Sequence, residues 1–220
     1  MTASGRGGPV LIFDLDGTLI DSKQDLTASV NHVRERFGLE PLGAAVIATF
    51  IGDGAAMLIR RALGGEAAES DVQSGLETFL SYYRAHMLDR TTLYPEALET
   101  LDQLAGKCQL AVLTNKPVRF SREILEGLGV IRRFAAVYGG NSFERKKPDP
   151  IGIHRILEET GGRPGMTWMI GDSAVDVRTG RNAGVSTCGV TWGYATKTFA
   201  DAPPDVLIHR FSELPRSILL

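Results

Sequence analysis

The chain has 220 residues, 24 Lys and Arg against 26 Asp and Glu, a formal net charge of −2, and 43% hydrophobic and 23% charged residues. That balance is globular, with length for one large domain or a core with a modest insertion, and it excludes the basic field that binds nucleic acid. The opening stretch MTASGRGGPV carries no apolar signal core and no apolar run reaches membrane-spanning length, so the expectation is a soluble, cytoplasmic protein with no membrane partner.

Residues 1–9 read as a Gly-rich, frayed leader. Val10-Leu11-Ile12-Phe13 then reads as a buried parallel strand. Two carboxylates, Asp14 and Asp16, stand at its end, and Gly17 allows a sharp turn. Open α/β sheets bind ligands outside the carboxyl ends of their strands. Two acids crowded there are costly unless a cation or chemistry uses them. A plain Asp-Gly turn fits the same local pattern.

The texture then becomes helical. Leu26, Val30, Val33 and Phe37 fall at helical spacing, with Asp21 or Ser22 as the N-cap. A second helix is expected over 42–50. A third follows Gly54, with Leu58, Ile59, Ala62 and Leu63 on one stripe. A fourth presents Val72, Leu76, Phe79, Leu80, Tyr83 and Met87 on one face. No strand pattern appears over 22–90, so residues 22–92 read as an all-helical cap inserted into the core, hinged near 18–22 and 89–95. Gly52-Asp53-Gly54 fits either a turn between helices or a loop facing the site. Arg60 and Arg61 fit a solvated helix face better than a contact to an anionic substrate tail.

From Tyr94 onward strand-like runs return at 109–113, 135–138, 168–170, 185–190 and 206–208. Helical stretches separate them at about 96–105, 117–128, 149–160 and 173–183. This alternation predicts an α/β fold, a doubly wound, Rossmann-like parallel sheet formed by 1–21 and 93–220. The first strand must join that sheet, because alone it could bury neither face. Cys108 and Cys188 lie in apolar strand-like segments and read as buried thiols rather than a disulfide.

Polar clusters close three of these runs. Thr114-Asn115-Lys116-Pro117 fits a helix N-cap, or a hydroxyl and amides aimed at a phosphate. Lys146-Lys147-Pro148-Asp149-Pro150 fits a solvated turn, or a lysine whose direction is fixed by flanking prolines. Gly171-Asp172-Ser173, with Asp176 four residues after Asp172, fits an N-cap with a surface acid. Doubly wound connectivity would bring all of them to one crevice. Oxygen ligands for a divalent cation plus a fixed ammonium are what a phosphoryl group needs for charge neutralisation.

FDLDGT, LTNKP, KKPDP and GDSAVD resemble, in order, motifs I to IV of the haloacid dehalogenase superfamily in the form carried by its phosphatases. FIGDGAAMLIRRALG resembles the cap-loop stretch of the phosphoglycolate phosphatase-like branch, and TWGY and PDVLIHRFSEL are similar to its closing segments. The likeness runs from about Val10 to Leu214. Glu96 departs from it, standing where many relatives have glycine.

The resemblance implies a phosphatase for a small phosphate monoester. Asp14 would be the nucleophile that forms an aspartyl-phosphate, and Asp16 the general acid and then base. Mg²⁺ would bind the Asp14 and Asp172 carboxylates and the Asp16 carbonyl, with Asp176 orienting a metal-bound water beside Ser173. Thr114 and Asn115 would hold the phosphate, Lys147 would offset charge, and Gly52, Asp53 and Gly54 would face the substrate.

The expected substrate is 2-phosphoglycolate, with other small esters, pyrophosphate and a sugar-phosphate mutase reaction as alternatives. Asp16 and the Asp172/Asp176 pair oppose a dehalogenase. The absence of lysine between Gln24 and Arg90 opposes a phosphonate hydrolase with a cap Schiff base. A non-catalytic phosphate-binding protein is opposed by the complete set of motif acids. Monomer and homodimer are both compatible with the sequence.

Overall fold

The computed structural model describes residues 8–218, so most of the leader expected over 1–9 lies outside the described residues. The chain begins with β1 (Val10–Phe13) and a two-residue β2 (Ile20–Asp21). Four helices follow, α1 (Lys23–Arg36), α2 (Ala44–Ala48), α3 (Ala55–Ala62) and α4 (Glu69–His86). A second two-residue strand, β3 (Thr92–Leu93), leads back to α5 (Ala97–Leu104) and β4 (Gln109–Leu113). Strands and helices then alternate through α6 (Val118–Gly127), β5 (Ala136–Tyr138), α7 (Ile151–Thr160), β6 (Thr167–Gly171) and α8 (Ala174–Asn182). The end is β7 (Ser186–Val190), β8 (Val206–Ile208) and α9 (Leu214–Ile218).

Six strands form one sheet in the order β5-β4-β1-β6-β7-β8, with every pair parallel. Strand side chains alternate between faces. Leu11 and Phe13 therefore join one apolar cluster and Val10 and Ile12 the other, and Leu110/Val112 against Ala111/Leu113 divide in the same way. Both faces of the sheet are covered, as the sequence predicted. The chain leaves β1 toward β4 and β5, then returns to its other side at β6. That reversal opens a crevice at the end of β1. Among the described residues no helix is long and apolar enough to cross a membrane, and Cys108 and Cys188 are buried and unpaired.

The helical insertion sits between β2 and β3, which pair antiparallel with Ile20 opposite Leu93 and Asp21 opposite Thr92. Sequence periodicity missed this pair because two residues carry no period. The helix expected over 42–50 is shorter, Ala44–Ala48, because the extended Gly43 behind Pro41 starts it late. Ser22 does occupy the N-cap position of α1, yet its side chain does not cap the helix. Its hydroxyl donates instead to Asp16 Oδ1 at 2.6 Å, and Asp21 Oδ1 accepts the Lys23 amide at 3.2 Å.

Two details explain how the insertion is tied down. Asp25 on α1 is buried, and its Oδ2 accepts the Arg90 amide, the Thr91 amide and the Thr91 hydroxyl at 2.7–3.0 Å. One carboxylate thus joins the start of the insertion to its exit. Asp25→Ala leaves three donors without that acceptor and should destabilise the fold by about 2 kcal/mol or more, read by denaturant unfolding. Unchanged stability would show that water replaces the carboxylate there. Glu96 at the start of α5 has φ +66°, the left-handed region that favours glycine. Its carboxylate accepts the Ser212 amide at 3.1 Å and lies below the usual range, first through the Ser212 side chain and then through that amide.

Candidate active site

Strand register sets the site. Phe13 is level with Val112 on β4 and Ile170 on β6, so Asp14 emerges where both neighbours end, beside Thr114 and Asp172. Asp14, Thr114, Asn115, Lys147, Asp172, Ser173 and Asp176 are all buried at this rim, and Asp16 is partly exposed. Gly17 turns the chain with φ +81°, and a Cβ there would collide with the Asp172 carboxylate. Only glycine meets both demands.

Asp14, Asp172 and Asp176 place carboxylate oxygens within 4.8 Å of one another. One ammonium faces them: Lys147 Nζ lies 2.9 Å from Asp14 Oδ1 and 2.6 Å from Asp176 Oδ1. The Asp14 contact is an ion pair without hydrogen-bond alignment, so Oδ1 retains unmet acceptor capacity. Three buried acids against one lysine leave two acids without a counter-charge, the place a divalent cation can take. Burial, followed by repulsion from Asp176 and Asp14, pushes the Asp172 carboxyl up to about 8. Burial also raises Asp14, although Lys147 opposes it. Burial works against the Lys147 charge, but Asp14 and Asp176 outweigh it and hold the lysine protonated.

The acids are not equivalent as ligands. Asp172 Oδ2 accepts the Tyr194 and Ala195 amides at 2.6 and 3.2 Å, which fixes the carboxylate. Asp176 has both oxygens engaged: Oδ1 by Lys147, and Oδ2 by the Ser173 hydroxyl at 2.7 Å and amide at 3.2 Å. The pair forms a capping box that starts α8. Asp14 and Asp172 are therefore the freer ligands for a cation.

Asp16 belongs to a second ion pair. Lys116 Nζ donates to Asp16 Oδ1 and Oδ2 at 3.0 Å each, and both side chains are nearly buried. Lys116 is held protonated, since Asp16 and Tyr83 outweigh the cost of its burial. Ser22 joins on the other side, and its amide donates to the Tyr194 hydroxyl at 2.8 Å. Tyr194 in turn donates to Asp21 Oδ1 at 2.9 Å. This chain ties the acid to the hinge residues.

Asn115 behaves differently from the expected phosphate-holding side chain. Its Nδ2 donates to Gly52 O at 2.9 Å and Lys147 O at 3.2 Å, so its amide bridges the insertion and the core. Gly52 and Gly54 line the cavity beside Asp14, while Asp53 does not. The Asp53 carboxylate instead meets Arg61 at 2.5 Å, and its carbonyl accepts from Lys146. Asp53 departs from the expectation that it faces substrate, because Arg61 on the next helix turns it away. Arg61 also donates to Phe50 O at 3.0 Å, and Arg60 pairs with Glu69. Neither arginine reaches the cavity lining.

Lys116, Tyr83 and Tyr194 are the site residues that sequence reasoning missed. Lys116 stood inside LTNKP, where the readings rested on Thr114, Asn115 and Pro117 and gave the lysine no role. Tyr83 was one member of an apolar helical stripe. Tyr194 lay in TWGY, whose signal was an aromatic between glycine and a helix start.

The family model for haloacid dehalogenase-like hydrolases matches residues 11–190. The chain belongs to that family. Among its relatives, a phosphoglycolate phosphatase from Agrobacterium fabrum is 40% identical over 94% of this chain and 90% of its own length. Another, from Chromobacterium violaceum, is 37% identical over 92% of each chain. A crystal structure described as a predicted phosphoglycolate phosphatase from Haemophilus somnus 129PT superposes with a TM-score of 0.89 and 31% identity, covering 95% of this chain and 97% of its own.

Proposed function

We propose that this phosphoric monoester hydrolase is a cytoplasmic enzyme that removes phosphate from 2-phosphoglycolate, using Mg²⁺ and an aspartyl-phosphate on Asp14. The observation that carries the reading is the separation of the two motif acids onto different lysines. Asp14 faces Lys147 and the acidic cluster, whereas Asp16 is held by Lys116 and Ser22 on the other side. That separation supports one acid acting at phosphorus and the other at the leaving oxygen. The relatives named phosphoglycolate phosphatase support the substrate.

An Asp14 carboxylate oxygen attacks phosphorus while the bond to the glycolate oxygen breaks, and Asp16 gives that oxygen its proton. Water then attacks the same phosphorus, Asp16 takes the proton, and the Asp14–phosphoryl bond breaks. Thr114 and Lys147 hold the phosphoryl oxygens, and Asp176 fixes Lys147. When bound by the Asp14 and Asp172 carboxylates and the Asp16 carbonyl, Mg²⁺ supplies charge neutralisation at those oxygens.

Residues 22–92 act as a cap that closes on the crevice and excludes water. Asn115 to Gly52 and Lys146 to Asp53 are the contacts that hold it shut. The partly open cavity beside Asp14 and Asp16 is about 50 Å³, room for about four water-sized groups. That favours a short leaving group over a sugar. Phosphate release from 2-phosphoglycolate should exceed release from hexose phosphates and pyrophosphate, and should require Mg²⁺. Turnover of a sugar phosphate with none of 2-phosphoglycolate would overturn the reading.

Removing the metal gives an independent check. A cation bound only to the folded state at a hundredfold excess over Kd stabilises it by about 2.7 kcal/mol. Mg²⁺ should therefore raise the melting temperature of the wild type by several degrees. Asp172→Asn should lose that rise and melt no lower than the metal-free wild type, because one crowded carboxylate is gone. An unchanged response to Mg²⁺ would remove Asp172 from the metal site.

A further inference from the structure

The cavity has two ends of different chemistry. Lys147 serves the end where Asp14 and the acidic cluster lie. Among the described residues that line the cavity, Lys116 is the one cation. An ammonium carries three N–H donors, and Asp16 engages at most two of them. Nζ also stands 4.5 Å from the centroid of the Tyr83 ring.

Tyr83 comes from α4, across the cavity from the sheet. It is 1% exposed, Lys116 lies against its oxygen, and among the described residues its O–H finds no acceptor. A buried phenol normally finds one, and an orphaned donor is costly. The wall around it is apolar, formed by Leu26, Leu58, Phe79 and Phe120. A charged N–H donor and an O–H without an acceptor thus share one corner of an otherwise apolar chamber. Two donors, one of them charged, match the two oxygens of a carboxylate.

We propose that Lys116 Nζ and the Tyr83 hydroxyl together receive the carboxylate of the substrate's leaving group. The assignment rests on the reading of the substrate as a small acidic phosphate ester, and it names the residues that select the acid. The geometry suits glycolate, in which one methylene separates the leaving oxygen from the carboxylate. A group that holds the tail must then adjoin the group that protonates that oxygen. Lys116 does so, through its contact with Asp16. Closing the cap brings Tyr83 to the core, so the acidic tail is recognised only in the closed state.

The test compares two esters of similar size on the full chain with Mg²⁺: 2-phosphoglycolate and 2-hydroxyethyl phosphate, whose tail is neutral. Tyr83→Phe removes only the hydroxyl and keeps the ring. It should lower kcat/KM for the acidic ester about tenfold or more relative to the neutral one, mainly through KM. Lys116→Met should slow both esters, because Asp16 loses its partner, and should add a similar further loss for the acidic one. Equal losses on both esters in both variants would overturn the assignment while leaving the proposed substrate intact. Wild-type turnover of 2-hydroxyethyl phosphate with none of 2-phosphoglycolate would overturn the substrate reading and the assignment together.

Discussion

Asp14→Asn is expected to abolish phosphate release, with kcat falling by roughly 10⁴ or more, while the protein stays folded. Losses of that order follow when a covalent nucleophile is removed and binding groups remain. The variant should fold because the neutral amide fits the same space and relieves repulsion with Asp172 and Asp176. Its melting temperature in the absence of metal should match or exceed that of the wild type. Activity within tenfold of wild type, in correctly folded protein, would dismiss Asp14 as nucleophile.

Lys147→Met should damage both stability and catalysis. The lysine side chain is 2% exposed, and its ammonium is the counter-charge to Asp14 and Asp176. Removing one partner of a buried ion pair typically costs about 3–5 kcal/mol, because the other charge is left uncompensated. Here three acids remain, so metal-free protein should melt far below the wild type and Mg²⁺ should recover part of the difference. Turnover should fall by roughly 10²–10³ from the lost stabilisation of the phosphoryl group. A double variant with Asp176→Asn should be more stable than Lys147→Met alone, since it removes one of the stranded charges. If Lys147→Met melts like the wild type without metal, the acids are not charged in the resting protein.

The sheet and the acids at its rim were legible because each carries a local signal. Apolar runs such as Val10–Phe13 and Gln109–Leu113 announce strands, and an acid, hydroxyl or lysine directly after such a run must sit at the sheet end. Their convergence followed from parallel connectivity alone. Contacts made across the chain left no such mark. The Ser22 hydroxyl reads locally as a helix cap, but Asp16 competes for it once Gly17 has folded the chain back. Asn115 reads as a phosphate ligand, but the carbonyls of Gly52 and Lys147 meet its amide from two other segments. Tyr83 shows the limit most clearly. Its spacing with Phe79 and Met87 is that of a core stripe, and periodicity cannot distinguish a side that packs on helices from one that packs on a site.

In the proposed reaction Asp14 carries the phosphoryl group between two displacements, with Asp16 serving both. Asp16→Asn separates the steps when the substrate is p-nitrophenyl phosphate, whose leaving group departs without a proton. The first displacement then proceeds, and the second stalls for want of a base. Rapid acid quench followed by peptide mass spectrometry should find the phosphoryl group on Asp14, in stoichiometric yield with a burst of p-nitrophenol. A linear release of p-nitrophenol with no burst and Asp14 unmodified, or a phosphoryl group on any other residue, would contradict the account.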